Sequence, residues 1–165
     1  MALQRLPYKK NSRTRVFLLS LGFLGTQYLS LDVKGRLALP TRHRDALEGM
    51  VIVTVDMQAA CLVLYPQQEW AIVSEKVRSL PSMKPEVKRF QRRFFGYASE
   101  LEIDASGRIL LPAPLREYAK LEKRVALVGQ GSKLELWNDD LWAAESGEDA
   151  LIGDSIPDEL ANLVL

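Results

Sequence analysis

Cysteine and histidine each occur once in this 165-residue chain, and no apolar run reaches the length of a membrane span. The lone Cys61 excludes a disulfide within the chain, and without a second cysteine no CxxC zinc site can be built. Set among apolar residues in CLVLY, it reads as a buried structural thiol. His43, between Arg42 and Arg44, has no second histidine or cysteine at metal-ligand spacing and reads as a surface residue. A nucleophile elbow and a phosphate loop are missing too. The sequence therefore points away from an enzyme, with no catalytic residues, metal, cofactor or small-molecule substrate expected.

Charge is near balance in total but uneven along the chain. Residues 1–30 carry Arg5, Lys9, Lys10, Arg13 and Arg15 with no acid. Residues 31–120 hold 14 basic against 11 acidic side chains, and residues 121–165 hold 3 against 10. A basic arm, a mildly basic body and an acidic tail suit a protein that meets phosphate through one face. The stretch VFLLSLGFLG after the basic residues resembles the apolar segment of a signal peptide, but no small-residue cleavage site sets it apart. Residues 1–22 are expected to form a disordered extension, and no membrane contact is expected.

What the chain has in quantity is self-similarity. At an offset of 72 positions Asp32, Gly35, Arg36 and Pro40 fall on Asp104, Gly107, Arg108 and Pro112. The match continues from Leu29 to Leu101, Arg44 to Arg116, Val53 to Val125, Tyr65 to Trp137 and Trp70 to Trp142, with no gap expected. In DVKGRLALP and DASGRILLP the aspartate can bond the backbone two residues on, and the glycine can take a positive φ, so each reads as a hairpin turn. Alternation then sends Leu37 and Leu39, or Ile109 and Leu111, inward and turns Arg36 and Arg108 outward. Pro40 and Pro112 suit the first turn of a short helix holding Arg44 or Arg116.

Two apolar runs, VIVTV with CLVLY and VALVG with LELW, close each copy as strands. The unit is β-β-α-β-β, small enough that one copy alone should be marginal and the two should share a core. The fold class expected is α+β: repeat 1 over 26–69, linking helices over 70–96, repeat 2 over 97–141 and an acidic tail over 142–165. In the linker, Phe90, Phe94 and Phe95 are expected in the core and Lys84, Lys88, Arg89, Arg92 and Arg93 on a solvated face. The tail, with Ser155 and Asp158 in a capping pattern, suggests a final short helix.

The twin turns LDVKGRLALP and IDASGRILLP, the paired aromatics and the joint RFFGYASE resemble the MraZ family, double SpoVT-AbrB-type regulators of bacteria. The resemblance runs from Phe23 to Trp142, and family members begin at an F-x-G pattern like Phe23–Leu24–Gly25. It implies a swapped-hairpin barrel with pseudo-twofold symmetry and a homo-oligomeric ring in the cytoplasm, on the nucleoid. It also implies binding to direct repeats in the promoter of the division and cell-wall genes, the protein's own operon included. By this likeness Arg36 and Arg108 contact DNA, with Lys34, Arg42, Arg44 and Arg116 as further basic candidates. Asp32, Gly35, Asp104 and Gly107 shape the turns. Ser106 replaces Lys34 in the second copy, which makes the copies unequal. The competing reading is an oligomeric scaffold or antitoxin-like module with only nonspecific DNA affinity.

Overall fold

The structure, a computed structural model, describes residues 22–147, 158–161 and 163. Nearly all of the expected basic extension, and Ser155 of the tail's capping pattern, lie outside the described residues. The first copy runs β1 (Thr26–Ser30), β2 (Arg36–Ala38), α1 (Thr41–Leu47), β3 (Met50–Val55) and β4 (Cys61–Tyr65). Helices α2 (Gln67–Arg78) and α3 (Pro85–Gly96) follow. The second copy runs β5 (Ser99–Glu102), β6 (Arg108–Leu110), α4 (Ala113–Tyr118), β7 (Arg124–Gly129) and β8 (Leu134–Asn138), then α5 (Asp139–Glu145) and α6 (Asp158–Ala161). Each copy is β-β-α-β-β, as its patterning requires.

The strands form a six-stranded antiparallel sheet, β1-β7-β8-β4-β3-β5, and a separate two-stranded ribbon, β2-β6. Exchanging the two copies reverses the sheet order onto itself, which is the mark of a pseudo-twofold axis. Two register pairs join equivalent positions and so lie on that axis: Leu37 with Ile109 in the ribbon, and Val63 with Glu135 in the sheet. Among the described strands, only β3–β4 and β7–β8 pair within one copy; every other ladder crosses between copies. This is the swapped-hairpin arrangement of two SpoVT-AbrB-type repeats.

One hydrophobic cluster serves both copies, drawing Leu37, Leu39, Val51 and Leu64 from the first and Ile109, Leu111, Leu127 and Leu136 from the second. Neither copy could bury these side chains alone, because the strands that cover each set belong to the other copy. The linking helices close over the outer face of the sheet. Trp70 stacks on Phe94 at 5.0 Å, and Thr54 Oγ1 donates to the Phe94 carbonyl at 2.7 Å. Phe94 is buried and Phe90 and Phe95 are half-buried, while Lys84, Lys88, Arg89, Arg92 and Arg93 are exposed. The paired aromatics repeat their geometry: Tyr65–Trp70 at 5.8 Å and 54°, Trp137–Trp142 at 5.7 Å and 53°.

Three expectations change. The D-x-x-G turns do not close paired hairpins: β1 leaves its own β2 after a single bridge, Leu31 to Leu37, and pairs with β7 instead. β1 and β5 both pair with the longer apolar strands, β7 and β3, of the other copy.

The repeat also contains a shift. Leu29 pairs with Val125, and its equivalent Leu101 pairs with Val51, so Val125 corresponds to Val51 rather than Val53, an offset of 74. The second copy gains two residues after the left-handed helix ends at Glu48 and Lys120, and its β7–β8 hairpin is two residues shorter. Core residues recur at every second position on both strands, Val51, Val53 and Val55 on β3 and Val125 and Leu127 on β7, so a slip of two keeps every side chain on its face and leaves the sequence match looking continuous.

The third change is His43, which is buried and not at the surface. Its ring lies 5.4 Å from Phe23, and Arg42 Nε donates to its Nε2 at 3.2 Å. The equivalent residue in the second copy is the buried Leu115. Burial, aided by the Arg42 charge, lowers the His43 pKa from 6.5 to about 4. The unfolded chain therefore takes up this proton first as pH falls, so stability is fully present above about 6.5 and is lost between there and about 4. Chemical denaturation of wild type and His43→Leu at pH 7 and pH 4.5 should show wild type losing roughly 1–3 kcal/mol more than the variant. Equal losses would remove His43 as the cause.

Candidate nucleic-acid interface

Each turn is built by its aspartate. Asp32 Oδ1 accepts from the backbone N–H groups of Lys34 and Arg36, both at 2.9 Å, and Gly35, at φ 83°, completes the reversal. Asp104 Oδ1 does the same for Ser106 and Arg108, both at 2.9 Å, with Gly107 at φ 77°. The second carboxylate oxygen reaches the arginine side chain: Arg36 Nε to Asp32 Oδ2 is 2.6 Å, and Arg108 Nε to Asp104 Oδ2 is 3.1 Å. Hydrogen bonding from the Arg36 and Arg108 backbone amides, helped by their guanidinium groups, holds both carboxyls below the usual range. Both aspartates thus stay ionised at neutral pH, and each arginine is oriented through Nε. No described residue hydrogen-bonds their Nη atoms, which leaves those donors free for an outside acceptor.

The ribbon brings the two arginines together. Arg36 pairs with Leu110 and Ala38 with Arg108, so these four share one face while Leu37 and Ile109 fill the core below. On such a face Arg36 and Arg108 are diagonal neighbours, roughly 7–8 Å apart at their Cα atoms. Lys34 stands exposed at the tip of the first turn, and Ser106 at the tip of the second.

Two of the remaining basic candidates, Arg44 and Arg116, sit behind the ribbon. Arg44 Nε donates to the Leu39 carbonyl at 2.7 Å, and Arg116 Nε to the Leu111 carbonyl at 3.1 Å. Each guanidinium lies beneath the turn of the opposite copy. A Cβ at Gly107 would come within 2.0 Å of Arg44 Cζ, and one at Gly35 within 2.7 Å of Arg116 Nε. The glycines are therefore needed twice over, for their backbone angle and for the space the arginines fill. Arg42 is exposed at α1, where it bonds the Leu24 carbonyl through Nη2 and His43 through Nε. It ties the start of β1 to the helix and has no counterpart in the second copy, where Pro114 stands.

The cross-copy contact between arginine and glycine was not derivable from either repeat alone. Its signal was present all the same, since both residue types recur at the 72-residue offset. Elsewhere, Asp56, Cys61 and Glu135 bring their ligand atoms within 4.8 Å of one another on the outer sheet face. Burial, with the nearby Glu135 and Asp56 carboxylates, pushes the Cys61 thiol up, away from the reactive thiolate. Glu135 accepts from Trp137 Nε1 at 2.9 Å, and Asp56 from the Gln58 and Ala59 amides.

Interleaved tandem repeats sharing one core, with turn-clamped arginines on an outer ribbon, define a double SpoVT-AbrB-type protein. The comparison with known sequences makes this specific. The family described as "MraZ protein, putative antitoxin-like" matches residues 23–93 and 94–159, and the chain belongs to that family. It is 50% identical over 150 residues to the Transcriptional regulator MraZ of Pseudomonas fluorescens (strain Pf0-1), covering 87% of this chain and 99% of the relative. The proteins of that name from Halorhodospira halophila and Alkalilimnicola ehrlichii are 48% and 44% identical, at the same coverage.

The glycine contact generates a stability test. Gly107→Ala should destabilise by roughly 2–3 kcal/mol, from the positive φ together with displacement of Arg44. A double-mutant cycle with Arg44→Ala should show coupling of about 1 kcal/mol or more. Additive losses in thermal or urea unfolding would mean that the two copies are not held together here.

Proposed function

We propose that this chain is a transcriptional regulator that binds double-stranded promoter DNA in a sequence-specific way through the outer face of the β2–β6 ribbon. The observation that carries this reading is the Asp–Arg clamp, present in both copies, which holds each arginine through Nε on the ribbon's outer face while no described residue bonds its Nη donors. A two-stranded ribbon fits the major groove, where a guanidinium can fork onto guanine O6 and N7. Because the aspartate holds Nε beforehand, less side-chain entropy is lost on contact. The names of the relatives agree with the regulatory role.

The roles of the basic residues then divide. Arg36 and Arg108 read base edges, and Lys34 adds a phosphate contact from the tip of its turn. Arg44 and Arg116, tied by hydrogen bonds behind the ribbon, and Arg42, tied to Leu24 and His43, contribute chiefly positive potential and rigidity. The target is a set of direct repeats upstream of the division and cell-wall genes, the protein's own operon among them. It is engaged by a homo-oligomeric ring on the nucleoid, in the cytoplasm. Several weak contacts then act together through high effective concentration. Neither a small-molecule substrate nor a membrane enters this mechanism.

In gel-shift titrations Arg36→Ala should weaken specific binding by roughly 1–3 kcal/mol. Lys34→Ala should instead weaken all sequences alike and reduce the salt slope by about 1. Equal affinity for promoter and scrambled DNA would favour the scaffold reading.

Asp32→Asn separates orientation from charge. Removing an acid beside the phosphates should tighten binding if charge alone matters, but it should weaken specific binding several-fold if the carboxylate aims Arg36. Tighter binding to the specific site would remove the aiming role.

A further inference from the structure

The ribbon has two ends related by the pseudo-twofold axis, and their outward side chains differ. At the first end stand Val33, Lys34, Arg36 and, across the ribbon, Leu110. At the second end the equivalent places hold Ala105, Ser106, Arg108 and Ala38. The arginines are matched, with side chains a third exposed at both ends. Their surroundings are not. Leu110 is 56% exposed on the same face as both guanidinium groups, and Val33 is fully exposed at the tip of the turn. The leucine lies directly opposite Arg36 and two residues beyond Arg108 on its own strand.

Leu110 stands on the same face as the two cations and lies outside the core cluster, to which the ribbon contributes Leu37 and Ile109. On a surface that enters the major groove, the apolar group that such a side chain can meet is the C5-methyl of thymine. We infer that Leu110 is a specificity-determining residue that packs on a thymine methyl beside the base pair read by Arg36, and that this contact gives each direct repeat of the proposed target its polarity. The inference rests on the DNA-binding reading of the same face. At the second end Ala38 is too short to make that contact and Ser106 carries no charge, so Arg108 there reads its base pair without a neighbouring methyl contact. Lys34 adds its phosphate contact at the leucine end, which reinforces that polarity.

The test uses the full chain. Selection from random duplexes should yield a non-palindromic site containing thymine, and Arg36→Ala should bind it poorly. Replacing each thymine in turn by uracil removes only the methyl group. At one position this should lower wild-type affinity about 3- to 5-fold. Leu110→Ala should start from the lowered affinity and be indifferent to the same replacement, with its circular dichroism unchanged because the position is exposed.

A palindromic selected site overturns the inference. So does wild-type insensitivity to uracil at every position while Arg36→Ala still abolishes preference, which leaves DNA binding itself intact. A change in mass by light scattering on Leu110→Ala, with no uracil effect, overturns it in favour of contact with a second copy of the chain. Absence of any preference over scrambled DNA sinks both this inference and the function it rests on.

Discussion

The arrangement depends on two places where one copy must leave room for the other. Gly35 and Gly107 are held at positive φ by their aspartates, and the volume their missing side chains vacate is taken by Arg116 and Arg44. These arginines also bond the carbonyls at the end of their own β-strand segment, at Leu39 and Leu111. The backbone closes the same contact, since the Leu39 amide donates to the Gly107 carbonyl and the Leu111 amide to that of Gly35. Turn, ribbon and helix of opposite copies are thus fixed by one set of groups. The direction of Arg36 and Arg108 follows from it, because the turn that clamps each one rests on a guanidinium from the other half.

Much of this was legible in the chain. The turn residues Asp32, Gly35, Asp104 and Gly107 announce themselves because a carboxylate and a side-chain-free residue three positions apart do one local job. Inward leucines and outward arginines followed from a period of two. What local rules could not supply was pairing. Which strand lies beside β1 is decided by apolar area across the whole molecule, and nothing within DVKGRLALP names β7 as partner. The two-residue shift between β3 and β7 was hidden for a related reason, since a slip by the strand period leaves alternation intact. His43 was misread because a single polar residue between two arginines looks solvated. Its burial depends on Phe23, twenty positions away, and on Arg42 acting as the donor to its ring.

The electrostatics of the outward face also gain from the fold. Two arginines close together on a ribbon would repel, and each would lose rotamer freedom on contact. The adjoining carboxylates offset the first effect and reduce the second, at the expense of net charge. Such a surface favours a chosen geometry over sheer attraction to phosphate. The exposed basic row on α3 is a separate feature, laid over aromatic packing on the other side of the linker.

The crossing of the strands has one more result. If two identical single-repeat chains made this ribbon, every substitution would appear at both ends, and any change suited to one end would be imposed on the other. Joining the copies through α2 and α3 removes that coupling. Ala38 and Leu110, or Lys34 and Ser106, can then diverge by one mutation at a time while the buried Leu37–Ile109 pair keeps the frame. Covalent duplication gives the ribbon a front and a back, and under the DNA-binding role proposed above such a surface can tell the two directions of a duplex apart.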